Sequence, residues 1–545
     1  MPRCNQQFVS HAAALCAVAA ACYFACMPCA RAASHSYYFA NHGQRGAPCS
    51  MQSPGADMSD AQAKVGAAGP NDTVYLYFKR GDTWRFDTAA VVKKVVFGLA
   101  VSNDDPIVHI DAYGSGNKPV FDGMITDWTA VPSHNAKTGP LRWNRILQLG
   151  RPNCSVKNLE IRNTYAIGIQ LHSDHDGAVV SHCDIHHFGG SSIRTKWGYD
   201  AQDVTIEHCR IHDGQLLFQY GKVHAGCWAG GITLKSETVG PPPSGNLVRY
   251  NLVYDIMGEG INCANAIVEH NVVGDTFSIG ICTVPHNWDF GVNIVRHNLV
   301  TMSDWKTSIY DGFKRGSGPH GIRVFDEAIG EGNNLGCDIQ YYGNVIVNRS
   351  VGIWVFNHPT AGPGDRFGPV KIFNNTIIDS HAANFRVGNL DQFTDVKIYN
   401  NASLFLDRPG GRHVQVFSKI PFHAGWSIEN NAFWSAGAET VVDEAWRKGA
   451  ITADPRLAGE PAVDWDGQRG AGYCFGITLA NTYPLAGSSL IDSGRALAGY
   501  DTMFMTVGSD FSGLPETANV ILADQGKSGT GWDIGALIYT VPAAR

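Results

Sequence analysis

Between residues 167 and 386 a short alternation of apolar and polar positions recurs. It reads Gly168-Ile169-Gln170-Leu171-His172, then Ser192-Ile193-Arg194-Thr195-Lys196, then Gly231-Ile232-Thr233-Leu234-Lys235. It returns around Ile261, Ile281, Ile322 and Ile353, and more loosely at Asn384-Phe385-Arg386-Val387. Period two predicts a short strand with one buried face. A second phrase follows each strand. It reads Val180-Ser181-His182-Cys183-Asp184-Ile185 and Ile206-Glu207-His208-Cys209-Arg210-Ile211. Later copies carry Asn251, Asn271, Asn298, Asn344, Asn375, Asn401 and Asn431. Most of these Asn residues are separated by about 20 to 31 positions, the spacing of solenoid repeats.

The two phrases predict a coil of three short strands per turn, stacked into parallel sheets. One turn cannot bury its own apolar face, but a stack can. A turn Asn repeated at one buried level would hydrogen-bond its counterparts above and below. Cys183 and Cys209 hold that level in their turns, and Leu159 holds it in the turn before. Two cysteines one rung apart, about 4.8 Å, are within reach of a disulfide or stand as buried thiols. The fold class expected is all-β, a parallel β-helix. Residues 1–32 read as a signal peptide and 33–150 as an N-terminal cap with the first coils. Residues 151–435 read as the repeat core carrying the cleft, and 436–545 as C-terminal coils and cap.

Composition agrees with a coil. Charged residues are 17% of the 545, with 61 Gly, which suits many tight turns around a continuous apolar core. A net charge of −7 gives no support for a nucleic-acid partner. At the N-terminus, Arg3, the apolar run Ala12 to Ala25 and Ala30-Arg31-Ala32 read as an export signal. The run is too short to span a bilayer comfortably, and no other stretch is apolar enough. The protein is therefore expected outside the cytoplasm, secreted or periplasmic, with lipidation at Cys22 after Ala20-Ala21 as the alternative.

If Ile169, Leu171 and their counterparts point inward, the residues between them point out. One outward column is then Gln170, Arg194, Thr233, Asn262, Cys282, Arg323, Trp354 and Arg386. The other begins His172, Lys196, Lys235 and ends at Phe325 and Phe356. Like charges this close repel, so His172, Arg194, Lys196 and Lys235 suit an anionic ligand better than stability alone. Gln170, Asn262, Arg323, Trp354 and Phe356 are candidate binding residues, with the aromatic rings offered to sugar rings. Carboxylates follow the strands: Asp174 and Asp176 beside His175, then Asp200 and Glu237. Converging at one corner, these four would suit Ca²⁺.

The remaining segments carry a resemblance. Asp72-Thr73-Val74-Tyr75-Leu76, Lys79-Arg80-Gly81-Asp82-Thr83-Trp84, Ala112-Tyr113-Gly114-Ser115-Gly116 and Lys118-Pro119-Val120 resemble the entry into a known fold family. That family is the secreted bacterial right-handed parallel β-helix proteins of the pectate-lyase-like superfamily. Asp454-Pro455-Arg456-Leu457, the run Tyr483 to Gly494 and Trp532-Asp533-Ile534-Gly535-Ala536 are similar to its closing segment. The resemblance implies a right-handed, single-stranded coil. It leaves the activity open, because the superfamily holds lyases, hydrolases, epimerases, esterases and non-catalytic surface proteins.

The chemistry expected first is β-elimination from an acidic polysaccharide. A cation or calcium would neutralise the uronate and acidify its C5 proton. Lys196 or Lys235 would serve as base, Arg194 would stabilise the enolate, and His172 or His175 would act as acid or base. The resemblance adds that lyases of the superfamily often use Lys or Arg on this face. A C5-epimerase shares the first step, and a glycoside hydrolase would draw a carboxylate pair from Asp174, Asp176 and Asp200. A carbohydrate-binding surface protein would need no catalytic set.

Overall fold

The computed structural model describes residues 32–88, 96–131, 144–173, 175–196, 199–222, 230–234, 245–283, 292–302, 319–326, 334–357, 366–388, 395–408, 410–416, 425–440, 442–457, 462–465, 475–478, 484–506, 509, 511, 515–516, 519–527 and 530–538. The expected signal segment falls outside this set. Three parallel sheets of 13, 12 and 11 strands run the length of the coil. Each turn gives one strand to each sheet in that order. Ser155–Lys157, Glu160–Thr164 and Ile167–Leu171 form one turn, and Val179–Ser181, Asp184–Phe188 and Ser191–Thr195 form the next. The repeat thus winds into a right-handed parallel β-helix, the hand that twisted strands favour in parallel crossovers. Among the described residues no helix is long and apolar enough to cross a membrane.

The core is one continuous column of Val, Ile and Leu from all three sheets, with Ile169, Val180 and Ile185 as its contribution from a single stretch of chain. At one end, Met58, Ala61 and Val65 of the helix Met58–Ala67 are buried against it. At the other, Trp446 is fully buried and meets Phe385 and Phe433 at ring distances of 5.4 and 6.3 Å.

The turn between the 13- and 12-stranded sheets carries the Asn ladder. Asn251 Nδ2 donates to Asn271 Oδ1, Asn271 to Asn298, and Asn298 to Asn344, each at 3.0 Å. The backbone N–H of each donates to the same oxygen of the next. Asn344, Asn375, Asn401 and Asn431 continue the chain at 2.9 Å. Leu159, Cys183 and Cys209 occupy the same level, fully buried. The two cysteines are thiols, each directed at a backbone carbonyl of the preceding turn at 3.7 Å, and the disulfide alternative is not taken. The residue before each ladder position has a left-handed backbone, with φ of +53° to +56° from His182 through His297. Such backbone is costly for most residues and easier for Asn and Asp. Here the side chains at this position stack: His182 on His208, then Tyr250, His270 and His297, with centroids 4.9 to 5.4 Å apart.

The C-terminal segment does more than close an end. It runs back along the outside of the 12-stranded sheet. Leu490, Met505, Phe511, Ile534 and Leu537 pack on the outward Leu252, Val272, Leu299, Val345 and Leu404. Asn374 Nδ2 donates to the Asp533 carbonyl at 2.7 Å, and His208 Nδ1 meets the Pro515 carbonyl at 2.7 Å.

Removing one mid-ladder amide strips partners from several buried groups at once, each costing about 1–3 kcal/mol. Asn298→Ala is therefore expected to lower stability by about 3 kcal/mol or more, and Asn431→Ala, at the end of the ladder, by clearly less. Urea unfolding of both variants measures this. Equal losses, or an Asn298→Ala loss under about 1 kcal/mol, would refute a cooperative ladder.

Candidate functional site

The outward face of the 11-stranded sheet begins with its glycines. A Cβ on Gly168, Gly231, Gly260, Gly280, Gly321 or Gly352 would lie 2.4 to 2.8 Å from a carbonyl oxygen of the following turn. The same Cβ would also press on a core side chain, such as Ile185 for Gly168 and Val300 for Gly280. The glycine and the isoleucine after it therefore both face the core. That breaks strict alternation, and the residue before the glycine returns to the outside.

The result is a third outward column. Arg145, Ile167 and Ser191 align in register at one end, and Ile279, His320, Val351 and Ala383 at the other. Glu259 lies between them, directly before Gly260. Arg145 and Glu259 reach the central-column residue three positions on, and His320 reaches the central column on the neighbouring strand. Arg145 Nε donates to Gln148 Oε1 at 3.1 Å, Asn262 Nδ2 donates to Glu259, and His320 meets the Trp354 ring edge-on at 4.4 Å. The sequence pattern gave no place to Arg145, Glu259 or His320, because it assumed period two through the glycine.

The central column is continuous in register. Gln148, Gln170, Arg194 and Thr233 pair in turn, followed by Asn262, Cys282, Arg323, Trp354, Arg386 and Gln415. Its middle is buried: Gln170, Thr233, Asn262 and Cys282 are at most 2% exposed. Both polar atoms of the Gln170 amide, Thr233 Oγ1 and Asn262 Oδ1 have no hydrogen-bond partner among the described residues. Buried groups left this way are costly, which favours a polar ligand that supplies the missing bonds.

Cations stand at both ends. At one end, Lys196 Nζ lies over the Tyr199 ring at 4.6 Å, and Tyr199 stacks on His172 with centroids 5.8 Å apart. His172 and Lys196 follow adjacent strands, their N–H groups donating to the Leu149 and Leu171 carbonyls. Tyr199 is a further residue that the repeat pattern did not reach, since it follows the strand rather than lying in it. Arg145 joins this end, its pKa brought down to about 10 by burial. At the other end, Arg323 and Arg386 flank Trp354 on neighbouring strands, with guanidinium carbons 4.5 and 5.1 Å from its ring. Both faces of the indole are thus covered. Trp354, expected to offer a face to a sugar ring, carries a guanidinium group from each neighbouring strand over its ring. His320 beneath it is held well below the usual histidine range by burial and by Arg323, Arg386 and Arg349.

His172 is lowered to about 4, first by burial and then by Lys196, Arg145 and His175. At neutral pH it is an uncharged imidazole that can take a proton, so the acid role fits it poorly. His175 is fully buried, with Nδ1 2.7 Å from the His172 carbonyl, and it holds the turn rather than facing the groove. Asp176 and Asp200 occupy matching places in successive turns, four residues after His172 and Lys196, and both are half-buried. Among the described residues the one cluster of three metal-ligating His, Cys, Asp or Glu side chains lies on another sheet. Asp174, Lys235 and Glu237 lie outside the described residues, as do the side chains of Phe325 and Phe356.

Residues 145–403 match the family model described as a right handed beta helix region. No curated protein sequence matches the chain. Among solved structures, a pectate lyase is 13% identical, covering 92% of this chain and 96% of its own, with a TM-score of 0.46. A lacto-N-biosidase from Eubacterium ramulus is 15% identical, covering 73% and 67%, with a TM-score of 0.45. A rhamnogalacturonan lyase is 14% identical, covering 75% and 90%, with a TM-score of 0.43. Likeness at this level bears on no residue of the groove.

The depressed His172 pKa has a stability consequence. Between about 4 and the usual 6.5 the unfolded chain takes up a proton at this site and the folded chain does not. The stability associated with neutral His172 is present above pH 6.5 and is lost as pH falls towards 4. Thermal melts across this window should show a downward slope that is shallower in His172→Gln. An identical slope in the variant would place the titration elsewhere.

Proposed function

We propose that the protein binds an anionic polysaccharide lengthwise along this face of the 11-stranded sheet and cleaves it by β-elimination at a uronate. The observation that carries the reading is the distribution of charge along the central column. Cations gather at each end, with neutral polar side chains between them. From Arg194 to Arg323 is four rungs, about 19 Å at 4.8 Å each. That length suits a chain of several sugar units better than a single small anion. Guanidinium and ammonium groups so close to one another repel, and a polyanion laid over them removes that cost.

In this reading Arg194 neutralises the uronate carboxylate, which makes the neighbouring C5 proton more acidic. Lys196 or neutral His172 accepts that proton. The electron pair forms a double bond between C4 and C5 as the bond from C4 to the glycosidic oxygen breaks, and the leaving oxygen gains a proton. Tyr199, between His172 and Lys196, positions both. Arg323 and Arg386, ordered by Trp354, hold a more distant carboxylate. No step is routed through calcium. The apolar run Ala12 to Ala25 supports export to where such polymers occur.

The test offers alginate, pectate, hyaluronan and other acidic glycans, with calcium or with a chelator, and follows absorbance at about 235 nm, where the unsaturated uronate absorbs. A rise is expected, reduced about 10²- to 10⁴-fold in Lys196→Ala or His172→Ala, whichever is the base. New reducing ends without absorbance would overturn elimination and move the chemistry to carboxylates such as Glu259. Neither signal, with proton exchange at C5 in deuterated water, would indicate epimerisation, and without exchange simple binding. Trp354→Ala should raise KM with little change in kcat. A fall in kcat alone would place Trp354 at the reacting bond.

A further inference from the structure

The outer face of the 12-stranded sheet carries a cluster that the groove does not use. Glu160, Asp184 and Arg210 align in one column, and Arg162, His186, His212 and Tyr254 in the next. The His186, His212 and Tyr254 rings lie nearly parallel, with neighbouring centroids 4.8 Å apart. Each histidine reaches diagonally to the carboxylate of the turn before. His186 Nε2 is 3.4 Å from Glu160 Oε1, and His212 Nε2 is 3.3 Å from Asp184 Oδ1.

Four features of these contacts point to a shared cation. Charge-assisted hydrogen bonds are normally about 2.7–2.9 Å, shorter than both contacts. The ligand atoms around a tetrahedral metal with bonds of about 2.0–2.1 Å stand about 3.4 Å apart, the separation seen twice here. Asp184 Oδ1 is buried, and the group facing it is His212 Nε2 at that 3.3 Å. Finally, the opposite nitrogen of each ring is already engaged. His212 Nδ1 is 2.7 Å from Asp213 Oδ2, and His186 Nδ1 is 2.7 Å from His187 Nδ1. A hydrogen on each Nδ1 leaves the Nε2 lone pair facing the carboxylates. This is how metal-binding histidines are oriented by their outer partners.

We propose that Asp184, His186 and His212, with solvent in the fourth position, form a binding site for a first-row divalent transition metal such as Zn²⁺. The two imidazoles select such a metal over Ca²⁺ or Mg²⁺, which take oxygen ligands. The three core ligand atoms lie within 4.8 Å of one another, and small side-chain rotations bring them to bonding separation. The ligands come from two successive turns, so the metal staples the coil just before the apolar wall that begins at Leu252 and Tyr254. The site is independent of the groove and of its activity.

Titration of tag-free, metal-stripped protein with Co²⁺ should produce the visible bands of four-coordinate cobalt at one equivalent, and Zn²⁺ should displace them. Calorimetry with Zn²⁺ should give one saturable site that is lost in His212→Gln. Asp213→Asn, which removes only the outer partner, should weaken it about 10- to 100-fold. His182→Gln, in the other stack of rings, should leave it unchanged. Absence of four-coordinate cobalt bands in the wild type would overturn the proposal even if no variant folds. So would a site of unaltered affinity in folded His212→Gln, and His212 would then stand as an imidazolium between Asp184 and Asp213.

Discussion

The structure depends on register between parallel strands. Once each residue sits one rung above its counterpart, side-chain identity becomes a property of columns rather than of single positions. The Asn amides enforce that register from within, because each makes the same bonds to the next and none is satisfied alone. A slip by one residue would orphan the ladder and turn the core residues outward together. The same rule that stabilises the coil also builds its surfaces: the groove, the stacked imidazoles and the Asp–His cluster are all columns seen from outside.

Much of this was legible in the sequence. Alternation around Ile169, Ile193 and Ile232 gave the strands and their inward face. The spacing of Asn251, Asn271 and Asn298 gave the ladder, and the equivalence of Cys183 and Cys209 followed. Gln170, Arg194, Asn262, Arg323 and Trp354 do share one file. Arg145, Glu259 and His320 were illegible for a definite reason. The close approach of backbone at the glycine before each Ile inserts a kink, and a period-two rule counts past it. A glycine that recurs at one place in most repeats was the available signal.

Other misreadings arose where chain distant in sequence intervenes. Leu252, Val272 and Leu299 point outward, so alternation alone makes them anomalous. They are apolar because residues beyond 484 cover them. Asp184 and Arg210 stood in phrases read only as repeat, and His186 and His212, just beyond those phrases, were not singled out; these polar positions become neighbours only when the second strand of every turn is stacked. Trp354 shows the converse. An exposed aromatic invites a stacking ligand, but the residues on the adjoining rungs had already claimed both faces of its ring.

The covering C-terminal segment also implies an order of assembly. Ladder bonds join residues 20 to 46 positions apart, whereas the segment's contacts at Asn374, His208 and Lys118 span 159, 307 and 398 positions. Contacts between near neighbours form sooner than those that must close a long loop. Coils can therefore stack one on the next as chain becomes available, with the apolar wall of the 12-stranded sheet left bare until the last residues arrive. The final tenth of the chain acts as a latch on a body already built. During that interval the growing coil is the form of the protein most open to a chaperone, a protease or a second copy of itself.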